Sequence, residues 1–132
     1  MWNRLYPAAK TLAEAQKIHL RNKFNKPLVI VGPSGVGKST LYQSFKEGYP
    51  DKVQFSVSCT TRGPRPGEKH GVDYYFISKD EFEHDIELGK FLENEEVHGN
   101  YYGTHIDEVR KALELQRICL LDIDTKGAAR IL

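Results

Sequence analysis

No apolar run in the 132-residue chain approaches the roughly 18 residues that a membrane span needs, so no membrane insertion is expected. Cysteine is scarce. The two present, Cys59 and Cys119, are too few for a disulfide framework, and with no secretory apolar segment they read as packed thiols in a reducing intracellular compartment. There is no internal repeat and no low-complexity tract, and the length suits one domain at the lower end of what usually houses a nucleotide-binding α/β sheet. A strong net charge is missing too: the formal value is +1, with 39% apolar and 28% charged residues, the balance of an ordinary soluble protein with no call for a nucleic-acid partner. That near-neutrality hides an asymmetry. Residues 1–26 carry six Lys/Arg against the single acid Glu14, a net of +5, and the remainder is net −4. Thr11-Leu12-Ala13-Glu14 has the capping-box pattern, so the segment is read as a solvated helix to about Asn22. The alternatives are a polyanion-binding arm or a transit peptide. A cytoplasmic location is expected, with a mitochondrial one as the alternative.

What the chain does have is glycine in one telling place. Gly32-Pro33-Ser34-Gly35-Val36-Gly37-Lys38-Ser39-Thr40 directly follows the apolar run Leu28-Val29-Ile30-Val31 and matches the phosphate-loop pattern G-x-x-x-x-G-K-[ST]. Glycines let backbone N–H groups curl around phosphate oxygens where a Cβ would block the geometry. Lys38 is placed to reach the β/γ-phosphates, and Ser39 offers a hydroxyl to Mg2+. The helix expected to open there turns its N-terminal dipole toward the anion. These residues point to a nucleotide-phosphate site, of a kind that ATPases, GTPases and kinases share.

Asn25-Lys26-Pro27 marks the first boundary, and the fold is expected to start near Leu28. Alternation in Val53-Gln54-Phe55-Ser56-Val57-Ser58 predicts a second strand ending at Ser58. The glycines and prolines from Thr60 to Gly71 predict a charged loop. Asp73 to Ile77 reads as a short strand, and Ser78-Lys79-Asp80-Glu81-Phe82 opens a helix stopped by Gly89. Strands are expected at Phe91 to Val97 and Tyr101 to His105, then a helix from about Ile106 to Gln116 whose buried stripe is Val109, Ala112, Leu113 and Leu115. The acid-rich stretch from Asp80 to Glu96 reads as a solvated face, Glu93 excepted. Ile118-Cys119-Leu120-Leu121-Asp122-Ile123-Asp124 is a continuous apolar run ending in acids, as in a buried parallel strand with carboxylates at its carboxyl end, where ligands gather.

Asp122 fits the second Mg2+-organising acid of a phosphate-loop protein, which usually works through bound water; alternatively Asp122 or Asp124 caps the following helix. Arg62 and Arg65 present two guanidinium forks in the glycine- and proline-rich loop, each able to grip a phosphate through paired hydrogen bonds. A second phosphate site separate from the first suggests a phosphorylated acceptor. Tyr74 and Tyr102 either donate to the same phosphate or pack with a wet hydroxyl. His70, His84, His98 and His105 have no role in this scheme.

Ser56-Val57-Ser58-Cys59-Thr60-Thr61-Arg62-Gly63-Pro64-Arg65-Pro66-Gly67-Glu68, then Gly71-Val72-Asp73-Tyr74-Tyr75-Phe76, Gly99-Asn100-Tyr101-Tyr102-Gly103-Thr104 and Leu121-Asp122-Ile123-Asp124 resemble guanylate kinase in order and spacing, from Leu28 to about Gly127. The resemblance implies an α/β fold: a parallel phosphate-loop NTPase core with an inserted mixed α/β GMP-binding subdomain. The chain would divide into a basic extension (1–26), core with phosphate loop (27–58), GMP-binding subdomain (59–105) and return to the core (106–132). The activity implied is transfer of the γ-phosphoryl group of ATP to GMP, with Mg2+. Catalysis would fall to Lys38 and Arg65; Arg62, Arg65, Tyr74 and Tyr102 would hold the GMP phosphate; Ser58, Glu93, Thr104 and Asp124 would read guanine. Many family members carry serine where Thr104 stands, and the hydroxyl survives. The resemblance also implies a further third of the family's length beyond Leu132, with a lid, adenine contacts and the last core strands, whose lack would leave Leu28 to Val31 an open edge able to self-associate. The alternative function is a GMP- or phosphate-binding module without turnover.

Overall fold

The computed structural model describes residues 26–33, 35–123 and 127–129. The expected N-terminal helix, Ser34 of the phosphate loop and Asp124 lie outside the described residues.

The described residues build two sheets. The first holds β1 (Leu28–Val31), β2 (Val53–Phe55) and β7 (Ile118–Ile123), all parallel in the order β1-β7-β2. β7 is central, which is why its sequence is apolar on both faces: Cys119, Leu120 and Leu121 are each about 1% exposed. Parallel pairing requires crossovers, and helices α1 (Lys38–Gly48) and α3 (Ile106–Glu114) supply them. α3 lays Val109 and Ala112 on Cys119, Leu121 and Ile123, with Val29, Leu92 and Leu113 around the edge. α1 packs more lightly, setting Tyr42 edge-on to Phe55 at 5.5 Å. Among the described strands β1 pairs only with β7 and exposes Leu28 and Val31.

The second sheet is mixed, in the order β4-β3-β6-β5, with β3 (Cys59–Thr60), β4 (Tyr75–Phe76), β5 (Phe91–Val97) and β6 (Asn100–His105). Beneath it lies α2 (Lys79–Glu87), started by the Ser78 hydroxyl accepting from Glu81 N–H. It ends where Gly89 takes a φ of 64°, its N–H bonding to the Ile86 carbonyl while that of Lys90 bonds to Asp85. Phe82 is fully buried between Phe91 and Tyr101, stacked at 4.3 and 5.3 Å. Such burial contributes about 1.5–3 kcal/mol.

Three expectations are corrected. The second strand ends at Phe55 instead of Ser58, because residues 56–58 leave the core sheet and Cys59–Thr60 pair in the second one; the expected loop from Thr60 therefore begins inside β3. Leu115 is 56% exposed, since it follows the end of α3, and Ile106 takes its place in the buried stripe. Finally, the acid-rich stretch is not all solvated: Asp85 is buried on the same face of α2 as Phe82, between Lys90 Nζ at 2.7 Å and His105 Nε2 at 3.1 Å. Burial pushes the Asp85 carboxyl up, but its bond to Lys90 and the nearby His105 outweigh that and hold it below the usual range.

Candidate functional site

The phosphate loop runs from the end of β1 into α1. Gly35 and Gly37 have φ of 78° and 102°, conformations that L side chains rarely adopt. Gly37 is the N-cap of α1, and no side chain caps that end and no acid occupies its first turn, so its N–H groups remain available to an anion. A Cβ on Gly32 would meet Val36 Cγ1 at 3.0 Å, so Pro33, Val36 and Gly32 form a close turn. Lys38 folds back over it, bonding to the Gly32 carbonyl. Its Nζ also lies 3.6 Å from Asp122 Oδ1. Asp122 is level with Ile30 in the β1–β7 pairing, at the carboxyl ends of both strands. Tyr42 faces the same carboxylate, and burial, then Asp122, push its phenol well above the usual range. Ser39 and Thr40 are exposed at the start of α1. Ser39 and Asp122 are hard oxygen donors of the kind that suits Mg2+.

A second group of predicted residues meets on the mixed sheet. Ser58 Oγ and Thr104 Oγ1 stand 3.3 Å apart. Glu93 is paired with Thr104 across β5 and β6, and the register slips between Phe91 and Glu93, so that Leu92 is the extra residue of a bulge. Directly opposed residues of antiparallel strands share a face. Without the slip Glu93 would oppose Gly103 and leave the face that Thr104 occupies. The bulge also divides the apolar neighbours, Phe91 going to the α2 core and Leu92 to the α3 core. Gly103 is needed for this approach, because a Cβ there would meet Phe91 Cδ1 at 2.8 Å and the Glu93 carbonyl oxygen at 2.9 Å.

Next to these lie Arg62, Tyr74 and Tyr102. The two tyrosine rings are 6.2 Å apart at 69°, and the Arg62 guanidinium lies over the Tyr74 ring at 5.4 Å and the Phe76 ring at 5.8 Å. Burial, then Tyr102, raise the Tyr74 phenol, keeping it a donor. Arg62 makes a two-pronged bond to Glu68, Nη1 to Oε2 and Nη2 to Oε1, each 3.0 Å. Glu68 also accepts the Arg65 backbone N–H at 2.7 Å, closing the loop, while the Arg65 side chain stays exposed. Arg62 and then the Arg65 amide hold the Glu68 carboxyl down at about 2, and Glu68 in turn raises Arg62.

The predicted residues therefore fall into two groups, the described part of the phosphate loop with Asp122, and Ser58, Arg62, Tyr74, Glu93, Tyr102 and Thr104, with Arg65 tied to the second through Glu68. Glu68, Asp85 and Glu108 are functional or architectural carboxylates that sequence reasoning assigned no part. For Glu68 the available signal was its spacing, six after Arg62 and three after Arg65; for Glu108 it was Lys111 three residues on, the helical ion-pair interval. Cys59 and Cys119 are both buried, as packed thiols should be, and burial pushes each up to about 12. Among the described residues no helix is long and apolar enough to cross a membrane.

Comparison with known proteins gives the same outline. The guanylate kinase family profile matches residues 24–132. The chain is 46% identical over 106 residues to the guanylate kinase of Sus scrofa, covering 80% of this chain and 54% of that protein. It is 50% identical over 111 residues to that of Symbiobacterium thermophilum, covering 81% and 52%. The crystal structure of guanylate kinase from Anaplasma phagocytophilum superposes with a TM-score of 0.61 at 35% identity, covering 80% of this chain and 52% of that one. The chain thus spans about half the length of these relatives. With the family profile over most of its residues and the same α/β phosphate-loop fold, the chain belongs to the guanylate kinase family.

Proposed function

We propose that the chain carries the donor-phosphate and acceptor sites of an ATP:GMP phosphotransferase, with residues 59–105 as the acceptor-binding part and the flanking segments as core. The observation that carries this is the convergence of Ser58, Thr104 and Glu93 on one face, with Arg62, Tyr74 and Tyr102 beside them. Guanine offers N1–H and a 2-amino group, which one carboxylate, Glu93, can accept together, and an O6 to which the hydroxyls of Ser58 and Thr104 can donate. Adenine offers Glu93 neither donor. Asp124 is assigned to the same base-reading set. Arg62, Arg65, Tyr74 and Tyr102 would bind the GMP phosphate, with Glu68 fixing the position of the Arg62 guanidinium before the nucleotide arrives.

In the reaction an oxygen of the GMP phosphate attacks the γ-phosphorus of ATP; that O–P bond forms as the bond from γ-phosphorus to the β,γ-bridging oxygen breaks, giving GDP and ADP. Lys38 leaves the Gly32 carbonyl for the β- and γ-phosphates, and Arg65 takes up charge from the acceptor side. Ser39 and Asp122 would hold Mg2+, which when bound neutralises charge on the phosphate oxygens. A coupled assay of ADP formation from ATP and GMP tests this. We expect GMP-dependent turnover, and a loss of at least about 100-fold in Arg65→Ala, the scale for removing one preorganised charge-stabilising group. GMP binding without turnover would instead support a binding module, and an unchanged rate in Arg65→Ala would remove that residue from the mechanism.

A further inference from the structure

The chain passes from the core sheet to the mixed sheet through residues 56–58, and the first two of these are anchored from the core side. Ser56 donates from its N–H and its Oγ to the Leu120 carbonyl, at 3.0 and 3.1 Å. Val57 donates its N–H to Glu108 Oε2 at 2.8 Å. Glu108 lies in the first turn of α3 with its side chain 4% exposed, and its other oxygen accepts from Lys111 Nζ at 2.7 Å. Lys111 in turn donates to the Tyr75 hydroxyl at 3.3 Å and lies over the Tyr75 ring at 5.4 Å. One carboxylate thus ties α3 to the residue before Ser58 and, through Lys111, to the residue after Tyr74.

Taking a carboxylate this far from water is costly unless its oxygens are used, and both are. Filling the space alone does not require it, since an apolar side chain like that of adjacent Val109 would do so without the desolvation cost. Only an acceptor can fix the Val57 N–H. We propose that Glu108 is a positioning residue for guanine recognition, holding Val57 so that the Ser58 hydroxyl stays against Thr104, and holding through Lys111 the strand next to Tyr74. This rests on the GMP reading given above. Without Glu108, residues 57–58 lose their anchor to α3, and the Ser58 donor to O6 is no longer held. The phosphate loop lies at the end of another strand and should not respond.

Calorimetric titration of the 132-residue chain with GMP, with the 5′-monophosphate of 2-aminopurine riboside, which lacks O6, and with ATP tests the proposal. In Glu108→Ala we expect GMP affinity to fall about 10-fold, the scale of one lost hydrogen bond. The preference for GMP over the O6-lacking nucleotide should fall about 5-fold and ATP affinity should move less than about 2-fold. Glu108→Gln keeps an acceptor for Val57 and should recover most of the loss, which general destabilisation would not explain. Wild-type GMP affinity and preference in Glu108→Ala overturn the proposal, as does a parallel fall for GMP and ATP. If Glu108→Ala fails to fold, Glu108→Leu fills a similar volume without an acceptor and must show the same selective loss; wild-type behaviour there overturns the proposal equally. A wild-type chain that binds no GMP would instead overturn the functional reading underneath.

Discussion

Glu68 shows how much one side chain decides in this site. A carboxylate beside two arginines proposed to bind phosphate looks misplaced, yet it accepts from Nη1 and Nη2 of Arg62 and from the Arg65 amide at once and so sets the shape of the loop. Its carboxyl is drawn down from 4.5 to about 2 by those partners. A carboxylate whose folded value is depressed contributes stability above its unfolded value and loses it as pH falls through the folded one. The loop should therefore stay ordered on acidification well past the ordinary titration of glutamate and loosen only between about pH 4.5 and about pH 2. Followed by NMR, the Arg65 amide resonance should be flat between about pH 6 and about pH 4; a midpoint near 4.5 would mean that Arg62 does not hold Glu68 in solution. Such a partner is hard to read from sequence, because Arg62 and Arg65 advertise phosphate binding whether or not an acid locks them. Glu108 and Asp85 were hidden for a related reason: polar residues inside acid-rich helices look solvated until the packing partner is known.

Among the elements, those with strong local signals were legible. Ser78 and Gly89 bracket α2, and His98-Gly99, both at positive φ, make the two-residue turn between β5 and β6. β2 and β3 were not legible as separate strands. The alternation through Val53 to Ser58 has the period of one strand, and it ends early because the Val57 N–H turns to Glu108 instead of to β7. The bulge at Leu92 is likewise invisible in sequence, yet it brings Glu93 onto the face of Thr104. Gly103 opposite is the test of it. A methyl group there meets Phe91 and the Glu93 carbonyl at under 3 Å, so Gly103→Ala should cost about 1–3 kcal/mol, as overpacking typically does. Urea unfolding would measure this. A change within about 0.5 kcal/mol, the range of surface substitutions, would show that β5 yields easily and that the close approach does not position Glu93.

At the scale of the whole molecule, the described residues form two sheets joined by residues 56–58 and by α3, with one group of candidate site residues on each. The α/β class, the parallel core and the mixed inserted sheet were readable from the strand runs and the family resemblance. The joint between the two sheets at residues 56–58 was not, since it rests on the bond from the Val57 N–H to Glu108 rather than on any motif. The central claim is that the mixed sheet recognises guanine and its phosphate. Calorimetric titration of the 132-residue chain with GMP and with AMP tests it most directly. We expect one GMP site and AMP binding at least about 100-fold weaker, because adenine leaves the Glu93 carboxylate without a donor; equal affinities, or no GMP binding at all, would contradict it.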